Sequence, residues 1–307
     1  MTRPGIPEAG AHGGDGARVA AALGLDPDDV LDLSASLNPF APDVAVLAAR
    51  HLGALRRYPD VEAAEDLVAA MVGVASGRLV LTAGGAQAIA LVADHLGSGW
   101  VDEPDFSLYR RHLFRLDPDA PAWRSDPHNP SGALASDDDF PGVAVWDEAF
   151  LPLSAGVWTR HRPGWALGSL TKAFACPGLR LGYAVAPTAA DAEALRTRRP
   201  AWAVGGLACA VLPELVAESD PPGWTARIAI ARKATAAVLE EHGLRPLPSD
   251  APWLLVPDAA GLRDGLARHG VVVRDCGSFG LADHVRIAVP GESDLTRLAT
   301  ALARLRT

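Results

Sequence analysis

The sequence predicts an α/β fold: a large domain with a mainly parallel sheet covered by helices, followed by a smaller α+β C-terminal domain. Between residues 62 and 182, helical patterns alternate with short apolar strands, which is typical of a parallel sheet. After residue 222 the pattern changes to one long helix and then short strands and helices. Of the 307 residues, 49% are hydrophobic and 21% are charged, so the chain can bury two cores.

Composition narrows the class of partner. A net charge of -9, without a run of Lys or Arg, argues against nucleic acid or an anionic membrane and favours a small molecule. The three cysteines lack CxxC spacing, so neither a disulfide framework nor a zinc site is expected. The first residues lack an apolar signal region, and no apolar run approaches the roughly 18 residues of a membrane span. We therefore expect a cytoplasmic protein.

The N-terminal segment, residues 1–40, is predicted to form an arm. It has a short amphipathic stretch at residues 17–23, an apolar stretch at residues 30–33 and the turn signal Asn38-Pro39. We expect a large cofactor-binding domain over residues 41–221 and a small domain over residues 222–307. A cleft between two such units is the expected place for a ligand.

The large domain should contain helices at residues 62–74 and 86–96, and strands at residues 78–82, 142–146 and 165–169. Ligands of such sheets bind at the carboxyl ends of the strands. The predicted elements of the small domain are helices at residues 225–242, 260–269 and 293–305 and strands at residues 253–256, 271–275 and 284–289.

Residues 169–183 carry reactive side chains directly after a predicted strand. Lys172 lies between the hydroxyls of Ser169 and Thr171 and the guanidinium of Arg180. The two hydroxyls, as donors, and Arg180, as a bidentate charge partner, could bind one phosphate group. A lone lysine after a strand is more often a solvated surface residue, so only these neighbours single out Lys172.

Two further segments end strands in polar groups. Asp147 ends the apolar run 143–147 and could keep a cofactor's ring nitrogen protonated, or could equally cap the next segment. Residues 126–132, framed by Pro and Gly, aim the amide of Asn129, which could donate to a phenolate oxygen. Taken alone, this segment is better explained as an Asx-type turn.

Residues 79–89 run from a strand through a glycine pair into a helix, so backbone N–H groups at a helix start could face an anion. Gly85, Ala86 and Gln87 would then complete a phosphate site, although such a turn is weak evidence alone. Phe106, or alternatively Tyr109, could stack on a ring, or either could belong to the core.

These candidates together match the needs of a pyridoxal-phosphate (PLP) site. Such a site takes an amine for a Schiff base, an anion for the ring nitrogen, a donor for the phenolate oxygen, a phosphate site and an aromatic face. Lys172 supplies the amine. The joint occurrence of all five predicts a PLP enzyme.

The motifs resemble fold-type I PLP enzymes of the aspartate aminotransferase superfamily, in the branch of histidinol-phosphate aminotransferases and threonine-phosphate decarboxylases. The resemblance runs over residues 12–290. It implies that Lys172 forms the Schiff base and that Arg180 binds the cofactor phosphate. Tyr58 matches the residue that reaches the phosphate of the neighbouring subunit, which implies a homodimer.

Residues 12–15, 32–39, 273–280 and 285–289 are similar to the decarboxylase, as is Phe150, where the aminotransferases usually carry Tyr. The resemblance implies that Arg286 holds the substrate carboxylate. The family likeness thus implies a lyase that converts threonine phosphate to aminopropanol phosphate in cobalamin biosynthesis. A histidinol-phosphate type of class I/II aminotransferase is the alternative.

His12 and Asn38 could bind a distal substrate phosphate, although a lone His near a flexible arm is more often incidental. A cofactor-binding protein without turnover is a third reading, disfavoured by the intact Lys172, Asp147 and Arg180. Two departures from the family pattern bear on the substrate. The segment between Tyr109 and Asn129 lacks the usual further strand and helix, and Gly205 stands where Asn is common.

Overall fold

The structure, a computed structural model, describes residues 5–136, 140 and 142–305. The chain divides into two compact units. The sheet unit comprises Phe40–Asn129 and Leu134–Thr225. The terminal unit comprises the chain up to Pro39, Pro130–Ala133 and the chain from Ala226 onwards.

The strands, in chain order, are β1 (Leu31–Asp32), β2 (Leu79–Thr82), β3 (Ser98–Val101), β4 (Arg115–Leu116), β5 (Ala122–Ser125), β6 (Val143–Asp147), β7 (Trp165–Gly168), β8 (Gly182–Val185), β9 (Trp253–Val256), β10 (Val271–Val272), β11 (Arg274–Asp275) and β12 (Val285–Ala288). The helices are α1 (Gly16–Leu23), α2 (Val44–Ala49), α3 (Val61–Val72), α4 (Gly85–Leu96), α5 (Leu108–His112), α6 (Leu170–Ala173), α7 (Ala189–Arg198), α8 (Gly206–Ala217), α9 (Pro221–Glu241), α10 (Leu262–Ala267) and α11 (Glu292–Arg304). Short 3-10 helices lie at Pro27–Asp29, Leu52–Arg56, Ser76–Arg78, Leu151–Leu153 and Gly277–Phe279.

The sheet unit is built on one sheet whose strand order, within the described residues, is β2-β8-β7-β6-β5-β3-β4. Strand β8 runs antiparallel to β2 and β7, and the other neighbouring pairs are parallel. The predicted mainly parallel sheet is therefore confirmed. Because β2, β3, β5, β6 and β7 all run in one direction, their carboxyl ends lie at the same edge of the sheet.

Helix α4 covers the middle of this sheet. It begins after Gly84, whose φ of 85° is a left-handed value that favours glycine, and it buries Ile89 and Val92 against Val145 and Leu167 of the central strands. Complete burial of one such side chain contributes about 1.5–3 kcal/mol. The helix thus holds its own first turn in place beside the end of β2.

The outer edge of β2 is closed by side chains rather than by another strand. Glu65 of α3 accepts the N–H of Leu81 at 3.0 Å and binds Arg196 at 3.0 Å and Arg199 at 2.6 Å. Arg199 also donates to the carbonyl of Leu81, and Arg196 to that of Leu79, each at 2.7 Å or less. We call Glu65, Arg196 and Arg199 the edge clamp.

Replacing Glu65 with alanine is expected to lower the free energy of unfolding by about 3–5 kcal/mol, because two guanidiniums and one N–H lose a buried anionic partner. Urea unfolding measures this loss. Asp66→Ala, on the exposed side of the same helix, is the control and should change stability by less than about 0.5 kcal/mol. Equal stabilities for the two variants would contradict the clamp.

The terminal unit contains an antiparallel sheet, β11-β12-β9, and a parallel pair, β1-β10. The N-terminal segment, predicted as an arm, contributes α1 and β1 to this unit. Leu31 of β1 pairs with Val271 of β10, and Val19 and Ala20 of α1 are buried beside Val272. The strand predicted at residues 271–275 is divided into β10 and β11 at Val273.

Several elements were not predicted from the sequence, among them β3, β5, β8, α7 and α8. Between Tyr109 and Asn129 the chain forms the rest of α5 and the short strands β4 and β5. None of the helices in the described ranges combines the length and apolar character needed to cross a membrane.

Candidate active site

The predicted polar residues follow the strands whose carboxyl ends share one edge of the sheet. Phe106 follows β3, Asn129 follows β5, Asp147 ends β6 and Lys172 follows β7. The turn after β2 opens helix α4. Parallel strand direction therefore gathers residues that are far apart in the sequence.

The turn after β2 lies against Arg180, and we call this place the candidate anion site. A Cβ placed on Gly84 would lie 2.5 Å from Nη2 of Arg180, so the guanidinium lies against bare glycine backbone. A Cβ on Gly85 would lie 3.6 Å from the Cβ of Ser169. Arg180 is exposed and is oriented by the carbonyl of Pro177, to which Nη1 donates at 3.2 Å. The structure thus brings Gly85, Ser169 and Arg180 together.

Ala86 and Gln87 lie in the first turn of α4. The N–H groups of a first turn point out of the helix and attract anions, and Ala86 is exposed there. The N–H of Gln87 instead donates to the carbonyl of Gly84 at 3.1 Å, and its side-chain oxygen accepts the N–H of Ala83 at 2.7 Å. Gln87 therefore shapes the turn, and its predicted phosphate contact stays a prediction.

Thr171 also differs from its predicted role. Its buried hydroxyl donates to the carbonyl of Leu181 at 3.1 Å, and its N–H donates to the same carbonyl at 3.1 Å. Both donors are thus used to tie α6 to the start of β8. The hydroxyl of Ser169 is closer to the candidate anion site, beside Gly85.

Lys172 lies in the one-turn helix α6, directly after β7. Its side chain is half-buried, and the amine is 5.6 Å from the centre of the Phe150 ring. The sequence contains one other lysine, Lys233, which is exposed on α9. Burial raises the pKa of Asp147, and the positive charge of Lys172 partly offsets that rise, so the charge of the amine acts on the carboxyl.

Asp147 is held by two donors. The Tyr109 hydroxyl donates to Oδ2 at 2.9 Å, and the N–H of Ala149 donates to Oδ1 at 3.1 Å. Burial nevertheless raises the pKa of Asp147 to about 6, with a further contribution from the nearby Asp105 carboxyl. A cation beside Asp147, such as a protonated ring nitrogen, would stabilise its ionised form.

Tyr109 is fully buried, packed at 5.6 Å between ring centres against Trp123. Burial, then the charges of Asp147 and Asp105, raise the pKa of its phenol well above 10, so the hydroxyl remains a donor. Phe106 is half-buried and meets Tyr109 edge-to-face at 5.8 Å. Tyr109 thus supports the carboxylate, and Phe106 is the better candidate for the aromatic face.

Asn129 is buried, and its N–H donates to Oγ of Ser125 at 2.8 Å. The turn before it is anchored by the buried Asp126, which accepts Nε of Arg160 at 3.1 Å and Nη1 of Arg162 at 2.6 Å. These charges were not singled out from the sequence, because Arg160 and Arg162 are distant along the chain. The two arginines anchor Asp126, directly after the end of β5. The described residues between β5 and β6 contain no helix.

Tyr58 lies at the surface of the sheet unit, 77% exposed, with its ring centre 4.5 Å from that of the exposed Trp202. A pocket of about 290 Å³ beside it is lined by residues that include Arg57, Asp60 and Cys209. Its predicted contact with a neighbouring subunit stays a prediction.

The candidates for substrate binding lie in the terminal unit. Arg286 of β12 is buried and stands opposite Arg274 of β11, with its guanidinium 4.6 Å from the ring centre of Trp253. Burial and then the charge of Arg274 lower the pKa of Arg286 to about 9. Sequence analysis missed Arg274, which strand pairing places beside Arg286.

Asn38 is buried in the terminal unit, whereas His12 is exposed. The carbonyl of Ala11, next to His12, accepts Nη2 of Arg274 at 2.9 Å. The N-terminal segment therefore reaches the arginine pair through its backbone.

The residues of the sheet unit fit PLP. The cradle beside Arg180, which a Cβ on Gly84 would fill, suits a phosphate. The half-buried Asp147 suits a protonated ring nitrogen, and Lys172 is the amine whose charge acts on it.

Comparison with known proteins agrees with this chemistry. A family model described as aminotransferase class I and II matches residues 125–302. A histidinol-phosphate aminotransferase of Halorubrum lacusprofundi is 31% identical over 92% of this chain and 90% of its own length. A threonine-phosphate decarboxylase of Salmonella typhimurium is 27% identical over 97% of both chains.

Among solved structures, the histidinol-phosphate aminotransferase of Sinorhizobium meliloti in complex with pyridoxal-5'-phosphate matches with a TM-score of 0.81. It is 19% identical and covers 98% of this chain and 95% of the other, which shows the aspartate aminotransferase-like fold alone. The family match and the relative at 31% identity carry the assignment: the chain belongs to the class I and II aminotransferase family of PLP-dependent enzymes.

Proposed function

We propose that this protein is a PLP-dependent decarboxylase of L-threonine O-3-phosphate, or a close analogue, that forms aminopropanol phosphate for cobalamin biosynthesis. The observation that carries the proposal is the Phe150 ring, 5.6 Å from the Lys172 amine, where the ring presents carbon and no hydroxyl. The threonine-phosphate decarboxylase relative, aligned over 97% of this chain, supports it.

PLP, when bound, supplies an electron sink for the bond broken at the substrate's α-carbon. Lys172 would attach the cofactor and, once displaced by the substrate amine, would hold or donate a proton at Nζ. Asp147 would keep the ring nitrogen protonated. Ser169, Arg180 and the N–H groups of Gly85 and Ala86 would bind the cofactor phosphate.

The proposed substrate carries a carboxylate and a phosphate, so it needs cationic partners. Arg286 would hold the carboxylate and so select the bond that breaks, because the bond perpendicular to the cofactor ring is the one cleaved. Arg274, opposite it in the strand pair, adds a second buried positive charge that suits a doubly anionic substrate. Asn38 and His12 are the proposed partners of the distal phosphate.

We further propose that the protein acts as a homodimer. Tyr58 and Trp202, 77% and 60% exposed, form an aromatic pair at the surface of the sheet unit, as expected of an interface core. Tyr58 would bind the cofactor phosphate of the neighbouring subunit.

The second candidate is an aminotransferase of the histidinol-phosphate type, favoured by the relative that is 31% identical over 92% of this chain. Such an enzyme would use Lys172 to carry the α-proton rather than to protonate a decarboxylated product.

The test is to give the purified, PLP-loaded protein L-threonine O-3-phosphate while recording carbon dioxide, aminopropanol phosphate and the cofactor spectrum. Sustained carbon dioxide release without build-up of pyridoxamine phosphate is expected. Histidinol phosphate alone, without a 2-oxo acid that would return the cofactor to PLP, is the parallel assay. Stoichiometric conversion of the cofactor to pyridoxamine phosphate by either substrate, without carbon dioxide, would contradict the lyase and favour the aminotransferase.

A further inference from the structure

A buried carboxylate that the proposed mechanism does not use lies beside the cofactor candidates. Asp105 is 1% exposed and directly precedes Phe106. Its Oδ1 accepts the N–H of Phe106 and the hydroxyl of Ser125, both at 2.6 Å, and its Oδ2 accepts the N–H of Ser125 at 3.0 Å. A buried carboxylate with three donors is strongly oriented by them and orients them in turn.

Ser125 passes this orientation on to Asn129. An ionised carboxylate only accepts hydrogen bonds, so the Ser125 hydroxyl must donate to Asp105. Its lone pairs then remain for the N–H of Asn129, which donates to Oγ at 2.8 Å. The direction of the whole chain of hydrogen bonds is thereby set by Asp105.

Asp105 is also linked to Asp147, the carboxylate proposed to face the cofactor's ring nitrogen. Ser125 pairs in register with Asp147 across β5 and β6, and the N–H of Asp126 donates to the carbonyl of Asp147 at 2.9 Å. The negative charge of Asp105 also acts on Asp147 and on Tyr109, the donor to Asp147. The loop after β3 and the end of β5 therefore meet at Asp105, and the end of β6 lies beside them through the pairing of Ser125 with Asp147.

We propose that Asp105 is a positioning residue that holds Phe106, Asn129 and Asp147 in the relative places that a PLP ring requires. The proposal rests on the proposed roles of these three residues. Asp105 is 1% exposed, and we expect it to act through these residues rather than on the cofactor itself. It accepts the N–H of Phe106 and the hydroxyl of Ser125, and that hydroxyl oxygen accepts the N–H of Asn129. Ser125 also pairs with Asp147 across β5 and β6.

The test compares Asp105→Asn and Ser125→Ala with the control Asp119→Asn, which removes the same charge from an exposed turn. Asn at position 105 keeps the size of the side chain but replaces one acceptor with a donor, which opposes the N–H groups of Phe106 or Ser125. The measurements are the dissociation constant of PLP and the induced circular dichroism of the cofactor band per mole of bound PLP.

Asp105→Asn is expected to weaken PLP binding about tenfold and to reduce the induced dichroism, and Ser125→Ala to do the same to a smaller extent. The double variant should be no weaker than Asp105→Asn, because both changes act on one hydrogen-bond chain. Substrate ligands are untouched, so kcat should fall more than KM rises.

Wild-type affinity and dichroism in both variants would overturn the positioning role. Were Asp105→Asn to lose its far-ultraviolet dichroism and so its fold, Ser125→Ala alone would decide by the same two measurements. Reduction of the wild-type protein with borohydride and peptide mass analysis separate the two proposals. If the wild-type protein is labelled at Lys172 but both variants bind PLP with wild-type affinity and dichroism, only the role of Asp105 is refuted. If the wild-type protein is not labelled, the cofactor assignment itself is refuted.

Discussion

Replacing Lys172 with alanine is expected to abolish covalent attachment of PLP and to lower kcat by about 10²–10⁴-fold or more, because the amine also serves as the proton carrier. The neighbouring Ser169, Arg180 and Asp147 remain, so the variant should still bind PLP without a covalent bond. Lys233→Ala is the matched control, since Lys233 is exposed on α9 and should be dispensable.

The measurement benefits from the composition of the chain. With only two lysines in the sequence, borohydride reduction followed by digestion can label one of two peptides. Labelling at Lys172, lost in Lys172→Ala and retained in Lys233→Ala, is the expected result. Label on the peptide of Lys233, or an unchanged visible band in Lys172→Ala, would contradict the central assignment.

Asp147→Asn is expected to make the apoprotein more stable at pH 7.5, by up to about 3 kcal/mol, while it lowers activity. The carboxyl has a pKa of about 6 in the folded protein, raised by burial from 3.8. Between these values the folded state binds more protons than the unfolded state, so Asp147 destabilises the wild type increasingly as pH rises, and fully above about 6. Asparagine removes that effect and still accepts from Tyr109, although its NH2 then faces the N–H of Ala149, which makes the gain smaller than this upper value.

Urea unfolding at pH 4 and pH 7.5, with and without PLP, tests this expectation. The advantage of Asp147→Asn should largely disappear as pH falls toward 4, because the wild-type carboxyl is then protonated in the folded state and about half protonated in the unfolded state. PLP should stabilise the wild type more than the variant, because a protonated ring nitrogen offsets the buried charge. An apoprotein of Asp147→Asn less stable than the wild type at pH 7.5 would refute the argument, with Asp119→Asn as the neutral control.

The parallel sheet could be predicted because each of its central strands is a short apolar run followed by polar residues. Strands β2, β6 and β7 begin and end within one residue of their predicted bounds. Strand β8, which reverses direction, was missed. Its sequence is as apolar as its neighbours, and only the pairing with β2 and β7 distinguishes it.

In the candidate site, too, some residues could be singled out from the local sequence and others could not. Lys172 and Asp147 stand directly at strand ends, so local pattern was enough to single them out. Tyr109, Asp105 and Arg274 act through partners 12 to 38 residues away, such as the contact of Tyr109 with Asp147. Thr171 was assigned to phosphate because it is a hydroxyl beside Lys172, and the structure shows that the carbonyl of Leu181 takes it instead.

The edge clamp also determines where foreign strands can add to this protein. Glu65, Arg196 and Arg199 bind the backbone N–H and carbonyl groups of β2 with which a strand of another chain would pair. This edge of the sheet therefore cannot be extended by a strand of another chain. The opposite border, β4, is flanked by Phe114 at 82% exposure and contains Leu116 at 47%. Aggregation of the folded protein would therefore start at β4. Loss of Glu65 would expose β2 as a second edge strand that another chain could pair with.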